Sequence, residues 1–382
     1  MEKGKKTELL PAYGQRRIMA IADAYRELAY SYGKETTEGP VDRREAFFHK
    51  GMAENRSIMA ENLREMADSM CMVAKENLTY QEPSPKSKKA LAQGLKKHGI
   101  ILDNLFFMEK DGSFQMVLNM KAGRDADYST EDIAEVLSGF FRRPLISSRE
   151  NMFFVSYDYD MYVFESKAPY RLLAGQACAT KAGEKTSGDS SFIYEVSGRE
   201  KVCAISDGAG SGEEAFADSE LALEWLEKYL DSGFSLEHGA ELVNHYFLSL
   251  KREQNMPTLD ACSINLEKGS LRFAKYGASP SYIKRDGYVE KIPGYGFPLG
   301  FASGKKEPET CCYLEEGDCL IMMSDGVLEC FREEALLVEA IGQAGRRSPS
   351  EAAFYLLQKA IYACGGHIRD DMTILFATLE AN

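Results

Sequence analysis

Four short acidic segments in the second half of the chain carry the residues best suited to chemistry: SGDSS around Asp189, ISDGAGSGEE around Asp207, MMSDGVLE around Asp325 and RDDMTILF around Asp370 and Asp371. Three of them abut an apolar run of strand length. The acid follows the run at Lys201–Ile205 and Cys319–Met323, and the acid pair precedes it at Met372–Leu379. Carboxylates at such strand ends can meet at one edge of a fold. Two like charges about 4 Å apart repel by roughly 4 kcal/mol at an effective dielectric of about 20, so a set of four must be held apart, protonated or neutralised. Hard divalent ions favour oxygen donors and keep several waters, which makes Mg²⁺ or Mn²⁺ the matching partner and a dinuclear centre the expected arrangement.

The glycines of DGAGSG let the backbone approach a ligand, so a carbonyl such as that of Gly208 can join a metal shell. A helix is predicted from Glu213, with Ala222, Trp225, Leu226, Tyr229 and Leu230 at helical spacing and Gly233 in the place of a C-terminal cap. One Asp-Gly pair at a strand end is only a turn. G-A-G-S-G is neither the dinucleotide fingerprint nor a P-loop with its Lys, so the signal resides in the set of four. Lys181 and Lys185 are near enough in sequence to Asp189 to reach a phosphate, although solvated surface lysines are the plainer reading. His367 precedes the RDD segment, as a leaving-group acid or as an ordinary loop histidine. His245 falls on a helical stretch, Leu236–Leu250, behind Ser235 as N-cap.

In this order, through TKAGEKTSGDSS, AISDGAGSGEEA, YGASPSYIKRDG, FPLG, GDCLIMMSDGV and RDDMTIL, the stretch from Lys167 to Leu379 resembles the metal-dependent protein phosphatase (PPM) family. The linking segment ASPSYIKR, Ala278 to Arg285, places the resemblance on the family's stage II sporulation protein E branch. The resemblance implies an αββα layered sandwich and two divalent ions, Mn²⁺ or Mg²⁺. Asp207 would bridge them, Asp189 and the Gly208 carbonyl would complete one, and Asp325 and Asp370 would hold the other. Asp207, Asp325 and Asp370 are thus the implied catalytic set, with Asp371, where many relatives have Asn, supporting the ligands from behind. A water shared by the metals would attack phosphorus.

The chain departs from the family at Ala209, where many eukaryotic members carry a His proposed as general acid. Leaving-group protonation then has to come from water or from elsewhere. Ala209 and Ser211 also replace the Met and Asn of the branch's usual DGMGNG. The implied function is a serine/threonine protein phosphatase that hydrolyses phosphoserine on a protein, an anti-anti-sigma factor in a sporulation or partner-switching pathway. Two other readings stay open: a catalytically weak signalling module with structural metals, and a two-metal phosphatase of small molecules.

The positioning elements read as α+β. The chain has 382 residues, enough for two or three domains, and 44% of them are hydrophobic, enough for packed cores. A formal charge of −13 with dispersed basic residues argues against nucleic acid. Nine cysteines without C-x-x-C spacing argue against a disulfide framework or zinc ribbon and for reduced thiols in the cytoplasm. Neither a signal peptide nor an apolar run of roughly 18 residues is found, so no transmembrane segment is expected.

Three regions are predicted. Residues 1–80 are helical, with a stripe at Ile18, Ile21, Ala22, Tyr25, Leu28, Ala29 and Tyr32, and a seam at Met59, Leu63, Met66, Met70 and Val73. That seam suits a helix hairpin or a homodimer contact. Residues 81–166 begin with a linker, Gln81–Lys89, broken by Pro83 and Pro85, and continue as a small α/β regulatory domain. There a short helix to Lys97 precedes a hairpin, Leu105–Glu109 with Gln115–Asn119, around Asp111-Gly112. A helix, Thr130–Phe141, and a strand pair, Met152–Tyr157 with Met161–Phe164, follow. Residues 167–382 form the phosphatase-like domain, whose last helix opens on Ser348, Pro349 and Glu351 and stops at Gly365 and Gly366.

Overall fold

Hydrophobic patterning and helix caps set the elements of the computed structural model, which describes residues 83–110, 113–123, 128–231, 234–250, 256–301 and 312–382, plus single residues within 18–30 and Arg64. The described residues of 18–30 are helical, with Ala22, Tyr25 and Ala29 buried. The seam from Met59 to Val73, and any dimer contact along it, lies outside the described residues. The chain divides into two compact units with a boundary at Ala168 and Pro169.

In the first unit, helix α1 (Pro85–Lys97) starts where a linker was expected. Ser84 caps it by accepting the Ser87 N–H at 3.2 Å. Pro85 occupies the first turn, where its missing N–H costs nothing, so the proline opens the helix instead of breaking it. Strands β1 (Ile100–Lys110) and β2 (Ser113–Ala122) pair antiparallel over more residues than the predicted hairpin. Helix α2 (Thr130–Phe141) begins at a capping box between Ser129 and Asp132. Strands β3 (Leu145–Ser147) and β4 (Asp160–Ser166) complete a sheet of order β1-β2-β4-β3. Its core joins Leu91 and Leu95 of α1 and Ile133 and Leu137 of α2 to Met116, Leu118, Tyr162 and Phe164 of the sheet.

Met152–Tyr157 is not the strand its apolar run predicts; β4 pairs with β2 and β3 instead. Its backbone groups serve the loops around α2. The Phe153 carbonyl accepts the Thr130 N–H at 2.8 Å, the Val155 N–H goes to Tyr128, and the Ser156 carbonyl accepts from Ala122. With those groups committed locally the segment cannot join a ladder, and Phe153 and Phe154 remain exposed.

The second unit opens on β5 (Tyr170–Ala179), β6 (Asp189–Ser197) and β7 (Glu200–Asp207), then α3 (Glu213–Asp231) and α4 (Leu236–Leu250). Strands β8 (Leu259–Asn265), β9 (Ser270–Tyr276), β10 (Ser281–Arg285), β11 (Tyr288–Ile292), β12 (Cys312–Tyr313) and β13 (Cys319–Met323) follow. Short α5 (Asp325–Leu328), α6 (Glu334–Ala344), α7 (Pro349–Ala363) and β14 (Met372–Ala381) close the chain. Two five-stranded sheets result, β12-β9-β8-β7-β6 and β11-β10-β13-β14-β5. Helix α3 packs on β6 and β7 and α4 on β8 and β9, whereas α7 packs on β5 and β14 with α6 beside it; β14 also touches β6 and β7. This is the αββα sandwich.

Burial on both faces explains the unbroken apolar runs of β13 and β14. Ile321, Met323, Ile374 and Phe376 meet Ile341, Leu356 and Leu357 of the helices, and the alternate residues Leu320, Met322, Leu375 and Ala377 are equally buried. Helix α7 keeps the predicted cap, Ser348 Oγ donating to Glu351 Oε2 at 2.8 Å, and stops through Gly365 and Gly366 at φ 71° and 84°. Among the described residues no helix is long and apolar enough to cross a membrane, and the seven described cysteines are free thiols. Phe376 is wholly buried in this core. Phe376→Ala is expected to lower unfolding stability by about 3–5 kcal/mol, read by urea denaturation; a loss below about 1 kcal/mol would contradict the packing.

Candidate functional site

Antiparallel pairing brings the acids together. Asp189 begins β6 and Asp207 ends β7, and the two stand opposite each other in register. Asp325 follows the end of β13, and Asp370 and Asp371 precede β14, at the same end of that ladder, where Met323 pairs with Ile374. All four segments therefore reach one end of the sandwich, and each carboxylate influences its neighbours there.

Close backbone approaches hold them. At Gly208 a Cβ would lie 1.9 Å from the Ala215 carbonyl oxygen, so only glycine lets the loop fold onto the first turn of α3. At Gly326 a Cβ would lie 2.2 Å from the Asp371 carbonyl oxygen and 3.2 Å from Asp370 Cβ, so its absence lets the Asp325 turn close on the RDD segment. The Gly208 N–H donates to the Gly188 carbonyl at 3.1 Å. Asp371, 4% exposed, accepts the Lys181 N–H on Oδ1 and the Gly188 N–H on Oδ2, each at 2.8 Å. Asp371 thus fixes the turn that carries Asp189. Asp370 Oδ1 accepts the Asp371 N–H at 3.1 Å and faces Lys181 Nζ at 3.5 Å.

Lys181 is therefore at the site, whereas Lys185 and His367 are exposed in the loops around it. His245 lies along α4. Sequence reasoning missed three polar side chains: Thr258, whose Oγ1 accepts the Asp207 N–H at 3.1 Å, and the buried pair Ser324 and Thr373. Ser324 and Thr373 each interrupt an apolar stretch beside an acid, the one trace they leave in the sequence. Asp207, Thr258, Ser324 and Asp325, together with Asp260 and Ser279, line a cavity of about 30 Å³.

The electrostatics indicate what the site is suited to hold. Burial, and then the charges of Asp189, Asp325 and Asp370, push the Asp207 carboxyl up to about 9, and Asp207 shares a hydrogen bond with Asp325. Burial pushes Asp189 up to about 6, with Asp371 and Asp325 adding to it. The nearby hydroxyls of Thr373 and Ser324 draw it down less than burial raises it, and neither reaches hydrogen-bond geometry with the two buried Asp189 oxygens. Among the described residues no three acid, histidine or cysteine side chains enclose an ion as they stand. Burial and repulsion favour the protonated form of Asp207 when no cation is bound. Unpartnered oxygens among mutually repelling carboxylates fit a hard divalent cation, which supplies the missing positive charge and accepts oxygen donors.

Because both folded values lie above the ordinary carboxylate value of about 3.9, the metal-free folded chain holds extra protons between about pH 4 and 9, so its stability falls as pH rises. The Tm measured in chelator is expected to drop from pH 5 to 9, at roughly 2–4 °C per kcal/mol, and Asp207→Asn to flatten the part of the curve above pH 6. A Tm that climbs across that range, alike in both proteins, would contradict the crowding.

The family profile described as Stage II sporulation protein E (SpoIIE) matches residues 197–380. Stage II sporulation protein E of Bacillus subtilis (strain 168) is 27% identical over 338 residues, 87% of this chain and 41% of the relative. Phosphoserine phosphatase RsbU of the same organism is 25% identical over 162 residues, 40% of this chain and 46% of the relative. The chain thus spans less than half the length of either. The solved structure of the PP2C phosphatase domain and a fragment of the regulatory domain of SpoIIE from Bacillus subtilis superposes with a TM-score of 0.60 at 26% identity, covering 89% of this chain and 96% of that one. With its αββα sandwich and converging acids, the chain belongs to the metal-dependent (PPM, PP2C-type) protein phosphatase family, near stage II sporulation protein E.

Proposed function

We propose that the chain is a metal-dependent serine/threonine protein phosphatase that removes phosphate from phosphoserine on a protein. One observation carries the reading: Asp189, with both oxygens buried and unpartnered, stands opposite Asp207, whose carboxyl is pushed up to about 9 by burial first and by the neighbouring carboxylates second. Asp207 would be shared by two ions, with Asp189 and the Gly208 carbonyl on one and Asp325 and Asp370 on the other. Bound there, Mn²⁺ or Mg²⁺ would acidify a water and offset the charge that develops on the phosphoryl oxygens. Lys181, beside Asp370, adds a flexible positive charge that can steer the phosphate toward the acids. Asp371 and Thr258 hold the backbones of the ligand-bearing turns. Ala209 has no titratable group, so the departing serine oxygen takes its proton from water or from another residue.

The likeness to RsbU, a phosphoserine phosphatase, supports the choice of phosphoserine. An anti-anti-sigma factor in a partner-switching pathway is the substrate class that the sporulation-branch segments favour, and free thiols suit a cytoplasmic setting. The α/β unit preceding Pro169 would regulate the catalytic unit. Phosphate release from a phosphoserine protein with Mn²⁺ present tests the reading. Asp207→Asn and Asp325→Asn are each expected to lower kcat by roughly a thousand-fold, about 4 kcal/mol of transition-state stabilisation. Absence of metal-dependent turnover in the wild type would favour a binding module, and turnover of small phosphate esters alone would favour a small-molecule phosphatase.

A further inference from the structure

Two buried carboxylates flank the cavity end of β7, and the fold gives them opposite environments. Asp189 has no hydrogen-bond partner on either oxygen. Asp260, 4% exposed, lines the cavity with Asp207 and Asp325, yet both of its oxygens are engaged. It stands opposite Ile205 in the β7–β8 register and opposite Lys275 in the β8–β9 register. The Lys275 side chain is wholly buried, and its ammonium donates to Asp260 Oδ1 at 2.7 Å, to Ser281 Oγ at 2.7 Å and to the Ser279 carbonyl at 2.9 Å. An ammonium has three donors, and here each has an acceptor. The Ser281 hydroxyl in turn donates to Asp260 Oδ2 at 3.0 Å.

This network cancels one negative charge in the cavity wall. Divalent-cation affinity follows the number of charged ligands and the rigidity of their frame. A free Asp260 would add a carboxylate to the face that already carries Asp207 and Asp325, and would draw an ion toward β8. Held by Lys275 and Ser281 it presents no net charge, and the same ammonium anchors the Ser279 turn against the cavity. Building on the metal reading above, we propose that Lys275 is a positioning residue that withholds Asp260 from the divalent-cation centre and so restricts the carboxylates available to an ion.

The test is Mn²⁺ titration of the full chain, reading free Mn²⁺ by electron paramagnetic resonance, alongside kcat and KM and circular dichroism as a check on folding. Lys275→Met is expected to bind at least one further Mn²⁺ per chain, or to bind Mn²⁺ about ten-fold more tightly, with kcat reduced and KM little changed. The double variant Lys275→Met/Asp260→Asn lacks the released carboxylate, and its Mn²⁺ isotherm is expected to return to that of the wild type. Ser281→Ala frees one oxygen while leaving the ion pair, and is expected to shift the isotherm in the same direction by several-fold; it decides the matter if Lys275→Met does not fold. Wild-type Mn²⁺ isotherms in both Lys275→Met and Ser281→Ala, with only Tm lowered, would overturn the assignment and leave Lys275 a packing element. A wild-type chain that binds no Mn²⁺ would instead remove the metal reading itself, and this assignment with it.

Discussion

Repulsion among carboxylates crowded at one end of a β-sandwich is the constraint on which the rest of the second unit depends. Asp189 and Asp207 face each other across β6 and β7, and Asp325 and Asp370 arrive from the other sheet. Burial first, and then the charges of Asp189, Asp325 and Asp370, push Asp207 up to about 9, and positive charge entering the site would relieve both effects. Much of the neighbouring structure reads as a frame that refuses to let the acids separate. Asp371 bonds the turn before Asp189, Thr258 bonds the Asp207 backbone, and the missing Cβ atoms of Gly208 and Gly326 permit approaches that any other residue would block.

A strained end of this kind can persist because the remainder of the unit is well packed. The strands that deliver the acids are buried on both faces, and helices α6 and α7 close over Ile321, Met323, Ile374 and Phe376. A functional site commonly sacrifices local stability that a core supplies elsewhere. The contrast between Asp189 and Asp260 shows how selectively charge is managed. One carboxylate is left without partners, and the other is matched donor by donor through Lys275 and Ser281.

What was legible in the sequence follows from the range of the forces involved. Helices α2, α4 and α7 lie where local spacing and caps put them, because Ser129, Ser235 and Ser348 act within one turn of their own helices. The acids at strand ends were visible because each adjoins an apolar run. Pro85 misled because a proline that opens a helix and one that breaks a helix look alike without the Ser84 cap geometry. Met152–Tyr157 misled because its aromatic pattern suits a strand, while its backbone is committed to the loops around α2. Strand order, the closeness of Lys181 to Asp370, and the pairing of Lys275 with Asp260 arise only when distant segments meet, so periodicity could not supply them.

Anomalous diffraction at the manganese edge from crystals soaked in Mn²⁺ tests the central claim most directly. Two peaks are expected at the acid-lined end of the sandwich, one beside Asp189 and the Gly208 carbonyl, the other beside Asp325 and Asp370, with Asp207 contacting both. Peaks confined to other surfaces, or a single ion held without Asp207, would contradict the account.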